Sequence, residues 1–172
     1  MDDEIKKIKQ KNLDRLYDYR QKLYTKPILK DLFLEVTSRC NARCCHCGSS
    51  CTDKVKEEEI SAEALKNTLL DIANHYNAAD ILLNVTGGEP LIRKDLFEIM
   101  DYANRLGFHW GMTSNGMLIT DEILEKMNQT NMETISISLV GLKETHESFR
   151  KVPSSFERII TNIKKITESP IN

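Results

Sequence analysis

The sequence predicts an α/β fold in which a parallel sheet is built from strand-helix units and preceded by an N-terminal amphipathic helix. Three observations carry this expectation. Short runs rich in apolar and β-branched residues alternate with segments of helical periodicity. Within those runs apolar and polar residues alternate, so the sheet has an apolar face for helices and a polar face, as in an open barrel with a polar lumen. The chemically suggestive segments, residues 40–47, 87–90, 114–116 and 138–141, all fall at the carboxyl ends of the runs. Ligands bind at those ends in parallel α/β folds.

Residues 3–24 carry Ile5, Ile8, Leu13, Leu16, Tyr17 and Leu23 at roughly helical spacing among many charges. Lys26-Pro27 ends this helix, because proline disfavours helical geometry in the residue before it. A helical extension over 1–28 and a core over 29–172 are the expected organisation. Strands are expected over 32–36, 81–85, 109–112 and 134–139, each followed by a helix, over 61–76, 94–106, 121–127 and 156–167. Thr120 precedes the acidic Asp121 and Glu122, Gly107 stands where a left-handed cap belongs, and Ser154 with Glu157 has capping-box spacing. Four βα units with right-handed crossovers follow. In the last strand Ile135, Ile137 and Leu139 share one face and Ser136 and Ser138 the other. Asn84 pairs in parity with Thr86, and Glu35 with Thr37.

A chain of 172 residues with 40% hydrophobic residues buries one sizeable core. Charged residues make up 29% but leave a net charge of only -2, which provides no broad electrostatic footprint for nucleic acid or an anionic membrane. No apolar run follows the Met-Asp-Asp-Glu start or approaches the length of a bilayer span, so a soluble cytoplasmic protein is expected. Of five cysteines, Cys40, Cys44, Cys45 and Cys47 fall within one octapeptide and Cys51 follows closely. An odd count without a secretion signal argues for metal or redox chemistry in a reducing compartment over a disulfide framework.

Cys40, Cys44 and Cys47 have the spacing C-x3-C-x2-C directly after the first strand. Three thiolates on one loop can reach three corners of a cubane cluster and leave one iron open. The alternative is a zinc knuckle, using Cys44 and Cys47 with His46, Cys40 or Cys51. Thr86-Gly87-Gly88-Glu89-Pro90 follows the second strand, and adjacent glycines let backbone approach a ligand closely. Alone, the pair is an ordinary strand-to-helix turn.

Together, the cysteine loop and the Gly-Gly-Glu-Pro turn resemble the radical S-adenosylmethionine (radical SAM) superfamily. The motif style is that of its SPASM-type peptide and protein maturases. The resemblance implies a partial (βα) barrel, with a 4Fe-4S cluster held by Cys40, Cys44 and Cys47 and S-adenosylmethionine chelated to the open iron. Reductive cleavage of that cofactor, with an electron delivered by a flavodoxin- or ferredoxin-like donor, would give a 5′-deoxyadenosyl radical that abstracts hydrogen from a peptide or protein. Gly87, Gly88, Glu89 and Pro90 would hold the methionyl amino group, so that Gly88→Val excludes the cofactor and spares the cluster. His46 stands where the family places an aromatic residue near the adenine, or is a solvated loop imidazole. Ser114 and Asn115 would lie near the ribose or methionyl part, or form an ordinary turn with Gly116.

Ser138-Leu139-Val140-Gly141 with His146 and Arg150 resembles the family's S-x-D-G and H-x-x-x-R patterns, except that Val140 replaces the acidic residue. Arg150 would pair with the cofactor carboxylate, or flank a helix in solvent. Cys45 and Cys51 receive no role, and no general acid or base is assigned. The family core has six βα units where four are read here. The chain is therefore expected to be a truncated form, or the amino-terminal portion, of a larger maturase. A non-catalytic iron-sulfur or zinc module is the other reading.

Overall fold

The computed structural model of the chain describes residues 2–54 and 58–171; Met1 and Asn172, the outer limits of the expected extension and core, lie outside the described residues. Two compact units emerge, residues 1–30 and 31–172. The first unit contains helix α1, Asp2–Thr25. Its last turn closes through the Lys26 amide to the Lys22 carbonyl at 2.8 Å, just ahead of Pro27. Most of its apolar side chains, among them Leu13 and Tyr17, are exposed, and Leu23 is partly buried.

The second unit is a four-stranded parallel sheet in the order β1-β2-β3-β4. The strands are β1 Asp31–Glu35, β2 Leu82–Thr86, β3 His109–Ser114 and β4 Thr134–Ile137. Helices α2 Ala62–His75, α3 Leu96–Arg105 and α4 Asp121–Gln129 cross between them, and α5 Lys143–Arg150 and α6 Ser155–Thr167 follow β4. Sequential order with parallel pairing is what successive βα units give. The sheet is not closed, so β1 and β4 are its edges. Register is explicit in the pairs Glu35 with Thr86, Val85 with Met112 and Ser114 with Ile137, which brings the carboxyl ends of the strands to a common rim.

The core lies on the helix-covered face. Leu83 and Val85 of β2, Trp110 of β3, Leu96, Ile99 and Met100 of α3 and Met127 of α4 are fully or almost fully buried. The Trp110 indole keeps a partner there, donating to the Thr130 carbonyl at 2.8 Å. Arg93, 5% exposed, binds Asp95 through Nε and Nη2 at 2.7 and 3.1 Å and donates to the carbonyls of Val36 and Ile60 at 2.7 and 2.9 Å. One guanidinium therefore joins the end of β1 to the starts of α2 and α3.

Several expectations need correction. Ser154 does not cap α6: its φ is +59° and its side chain makes no capping bond. A side-chain cap needs an extended N-cap residue, whereas α5 and α6 are joined by a tight turn with left-handed residues at Lys151 and Ser154. Thr120 does cap α4, accepting from the Ile123 amide at 3.2 Å, and Gly107, with φ of +96°, ends α3 as expected. Strand β4 stops at Ile137, so Leu139 does not extend its apolar face and is 42% exposed. On β1, Phe33 shares the parity of Asp31 and Glu35 and is 68% exposed, so the open face is not wholly polar. Helix α5 has no counterpart in the strand-helix reading.

Candidate functional site

The rim at the carboxyl ends of the strands holds a cavity of about 190 Å³. Cys40, Cys44, His46 and Cys47 line it from the loop after β1, joined by Cys51. Gly87 and Gly88 line it from the turn after β2, Ser114 and Asn115 from the end of β3, and Ser138 and Arg150 from beyond β4. Glu89 and Pro90 do not line it. Four segments distant in sequence thus meet around one space.

The cysteine loop is positioned by backbone bonds on three sides. The Cys40 amide donates to the Thr52 carbonyl at 2.7 Å, closing the loop on itself. The amides of Gly88 and Glu89 donate to the carbonyls of Thr37 and Arg39, each at 2.8 Å. Arg43 and Cys45 donate to the carbonyls of Arg150 and Phe149 at 3.2 and 2.9 Å, so the loop also rests on the carboxyl end of α5. Beneath it Cys40, Ala42, Met117 and Ile159 form an apolar cluster against which Cys44 and Cys51 pack. A further clip follows the loop, where Arg39 donates to both carboxylate oxygens of Glu59 at 3.1 and 3.0 Å and the Thr37 hydroxyl also binds Glu59.

Gly87 and Gly88 have a packing reason to be glycine in addition to their place on the cavity wall. A Cβ on Gly87 would collide with the Thr37 carbonyl oxygen, and one on Gly88 with the Arg39 carbonyl. The space a side chain would need is filled by the cysteine loop itself. The expectation that Gly88→Val would exclude a cofactor and spare the cysteine site is therefore corrected.

Glu89 is fully buried. Its carboxylate accepts from the Asn115 amide at 2.7 Å, the Ser114 hydroxyl at 2.8 Å and the Leu91 amide at 3.3 Å. Burial pushes its pKa up, against the pull of those donors. It shapes the turn that carries Ser114 and Asn115 to the rim, and Pro90 behind it starts a single 3-10 turn, Pro90–Ile92. Asn115 in turn donates to the Asn41 side chain at 2.7 Å. Glu89 thus sits beneath the turn, with three protein donors on its two carboxylate oxygens.

Each motif cysteine has its own surroundings. Burial raises the Cys40 thiol pKa, and its sulphur accepts from the Ala42 amide at 3.4 Å. The Cys51 amide, helped by the Ser49 and Ser50 amides and the Cys51 thiol, lowers the Cys47 pKa despite partial desolvation. Cys44 faces Arg150, whose Nη1 donates to its sulphur at 3.3 Å while Nη2 donates to the Ser138 carbonyl at 2.7 Å. Arg150 is only 8% exposed, so it is not a helix-flanking arginine in solvent. His46 is exposed and its ring lies 5.5 Å from that of Phe149. Cys45 is exposed. Buried His146 accepts from the Val140 amide at 3.2 Å, and burial lowers its pKa.

Three soft thiolates suit iron-sulfur or zinc ligation. Among the described residues, no three His, Cys, Asp or Glu side chains converge as a single metal ion requires. A cubane instead takes each thiolate to a different iron. The donor set and the common cavity fit a cluster held from Cys40, Cys44 and Cys47.

Sequence reasoning missed the parts of the site that carry no motif. These are the backbone contacts by which the end of α5 seats the loop and the clip of Arg39 and Glu59. Arg39, next to Cys40, was the available signal for the clip.

Residues 34–172 match the Radical SAM superfamily. The AdoMet-dependent heme synthase of Methanosarcina barkeri (strain Fusaro / DSM 804) is 34% identical over 136 residues, which cover 78% of this chain and 38% of that protein. The sporulation killing factor maturation protein SkfB of Bacillus subtilis (strain 168) is 32% identical over 138 residues, covering 80% of this chain and 33% of that one. The solved structure of native anSMEcpe with bound AdoMet superposes with a TM-score of 0.70 at 20% identity, over 84% of this chain and 42% of that chain. The fold is the partial radical SAM fold, and the chain belongs to the radical SAM superfamily, whose members use a 4Fe-4S cluster and S-adenosylmethionine. It spans between about a third and two fifths of the length of these relatives. No described helix is long and apolar enough to cross a membrane.

Proposed function

We propose that this chain is the cofactor-binding core of a radical SAM enzyme acting on a peptide or protein, in which Cys40, Cys44 and Cys47 hold the cluster. The observation that carries this reading is the single cavity shared by those cysteines, the Gly87-Gly88 turn, Ser114, Asn115, Ser138 and Arg150. Once bound, the cluster and S-adenosylmethionine supply one-electron cleavage of a sulfur-carbon bond and a radical competent for hydrogen abstraction. The protein's own residues fix the thiolates, through the Thr52 carbonyl, the carboxyl end of α5 and the Gly87-Gly88 turn. Asn115, held over Glu89, and Ser138 present polar groups toward the remainder of the cavity, and His46 stands at its mouth.

Residues 1–28 serve as a helical extension and 29–172 as the core. An external flavodoxin- or ferredoxin-like protein supplies the electron, in the cytoplasm. The peptide or protein substrate is supported by the Ser138, Gly141, His146 and Arg150 pattern and by the similarity to a maturation protein. A small-molecule substrate is the second reading, supported by the similarity to a heme synthase.

Anaerobic reconstitution with iron and sulfide tests the core assignment. The expected result is one 4Fe-4S cluster per chain whose electron paramagnetic resonance signal changes on adding S-adenosylmethionine. Stoichiometric zinc without iron would overturn it. Incubating the loaded protein with a panel of peptides and porphyrins separates the substrate readings by which member promotes 5′-deoxyadenosine formation.

A further inference from the structure

We infer that Arg150 is a positioning residue that raises the reduction potential of the cluster by donating a charged hydrogen bond to the Cys44 sulphur. This rests on the reading that Cys40, Cys44 and Cys47 hold a cluster. The motif resemblance assigns Arg150 to the cofactor's carboxylate, and the guanidinium also reaches the cysteine loop, with Nη1 on the Cys44 sulphur at 3.3 Å and Nη2 on the Ser138 carbonyl at 2.7 Å.

An arginine stays charged in a protein, and a buried charge is costly without an anionic partner. Arg150 is 8% exposed, its Nε is buried without a partner, and its two hydrogen-bond acceptors are a sulphur and a neutral carbonyl. Glu89 contributes a longer-range attraction. A Cys44 thiolate bound to iron would supply the missing negative charge on the sulphur that Nη1 already contacts. Hydrogen bonds to cluster sulphurs and nearby charge set the potential of an iron-sulfur centre. A fixed cation favours the more negative, reduced form, so it raises the potential.

The three thiolates differ in this respect. Cys40 receives a backbone amide in an apolar setting and Cys47 receives backbone amides and a thiol, whereas among the described residues only Cys44 receives a donor with a formal charge. Geometry makes the contact persistent. The carbonyl of Arg150 accepts from the Arg43 amide and that of Phe149 from the Cys45 amide, so the residues flanking Cys44 are tied to the same helix end that carries the guanidinium.

The test is a redox titration of the reconstituted chain without S-adenosylmethionine, using dithionite and mediators and following the reduced cluster by electron paramagnetic resonance. Replacing Arg150→Gln is expected to disfavour reduction about tenfold, a fall of about 59 mV for one electron. Arg150→Lys, which keeps the charge, is expected to recover most of it. A change under threefold in a loaded Arg150→Gln protein overturns the inference, even if S-adenosylmethionine binding weakens, since Arg150 would then serve only the cofactor.

A second measurement uses the unmutated chain labelled with 15N-arginine. A nitrogen coupling to the reduced cluster that disappears in Arg150→Lys supports the contact, and no coupling overturns it. A wild-type chain that takes up no cluster ends both this inference and the functional reading. A loaded chain with an unmoved potential ends this inference alone.

Discussion

The amide of Glu89 donates to the carbonyl of Arg39 at 2.8 Å, which makes the Gly87-Gly88 turn and the cysteine loop one backbone assembly. Arg39 immediately precedes the first motif cysteine, and Glu89 immediately follows the glycine pair. The two motifs that define the family here are therefore structurally a single object, and damage to one reaches the other.

Gly88→Val accordingly should release the cysteine site together with any cofactor. Its side chain would meet the Arg39 backbone and the Cys40 Cβ, and such overpacking typically costs about 1–3 kcal/mol. The expected outcome is a lower melting temperature and a loss of bound iron and sulfide after reconstitution. A full cluster with only S-adenosylmethionine binding lost would show that the glycine serves ligand approach instead.

Glu89→Gln should be destabilising although it preserves shape. The carboxylate receives two amides and a hydroxyl, and an amide offers one oxygen where two are used, with its own N–H groups aimed at other donors. Leaving a buried donor unmet costs about 1–3 kcal/mol. Urea unfolding reads this directly, and a variant as stable as the parent would remove Glu89 from the foundation of the Ser114-Asn115 turn.

Sequence reasoning recovered the parallel sheet of βα units and the rim because apolar and β-branched runs alternate with helical segments, and because the cysteines and glycines fall at strand ends. It failed where polar residues are buried. Helix α5 reads Lys-Glu-Thr-His-Glu-Ser-Phe-Arg and buries His146 and Arg150, a pair four apart with no apolar signal. Glu89 stands in a glycine turn at a strand end, a setting that gives no sign of how deeply its side chain is buried. Its burial depends on Ser114 and Asn115, residues that only the fold brings near. The left-handed turn that disarms Ser154 likewise depends on how α5 packs against α6.

Replacing Cys40, Cys44 or Cys47 with alanine should each abolish the cluster, while Cys45→Ala and Cys51→Ala retain it. Cys45 is exposed. Cys51 lines the cavity but lies outside the three-cysteine spacing, so its removal is expected to leave cluster stoichiometry unchanged. Iron and sulfide quantification with the absorbance spectrum decides each case, and loss of cluster in Cys51→Ala would make it a ligand.

Acid stability should depend on Asp95. The hydrogen bonds from Arg93, at 2.7 and 3.1 Å, hold its carboxyl below the ordinary aspartate value against partial burial. A depressed folded pKa means that the pair's contribution is fully present above the unfolded value, near 3.9, and is lost as pH falls through the folded one. Asp95→Asn removes the charge but leaves Arg93 its two backbone carbonyls. The Asp95 side chain is also 36% exposed, so solvent screening keeps the cost at neutral pH to about 1–2 kcal/mol. Urea midpoints for both proteins between pH 7 and pH 2 should show a constant gap down to about pH 4 that closes at lower pH as the parent protonates. A gap that stays constant to pH 2 would mean that the substitution acts through packing and not through the ion pair.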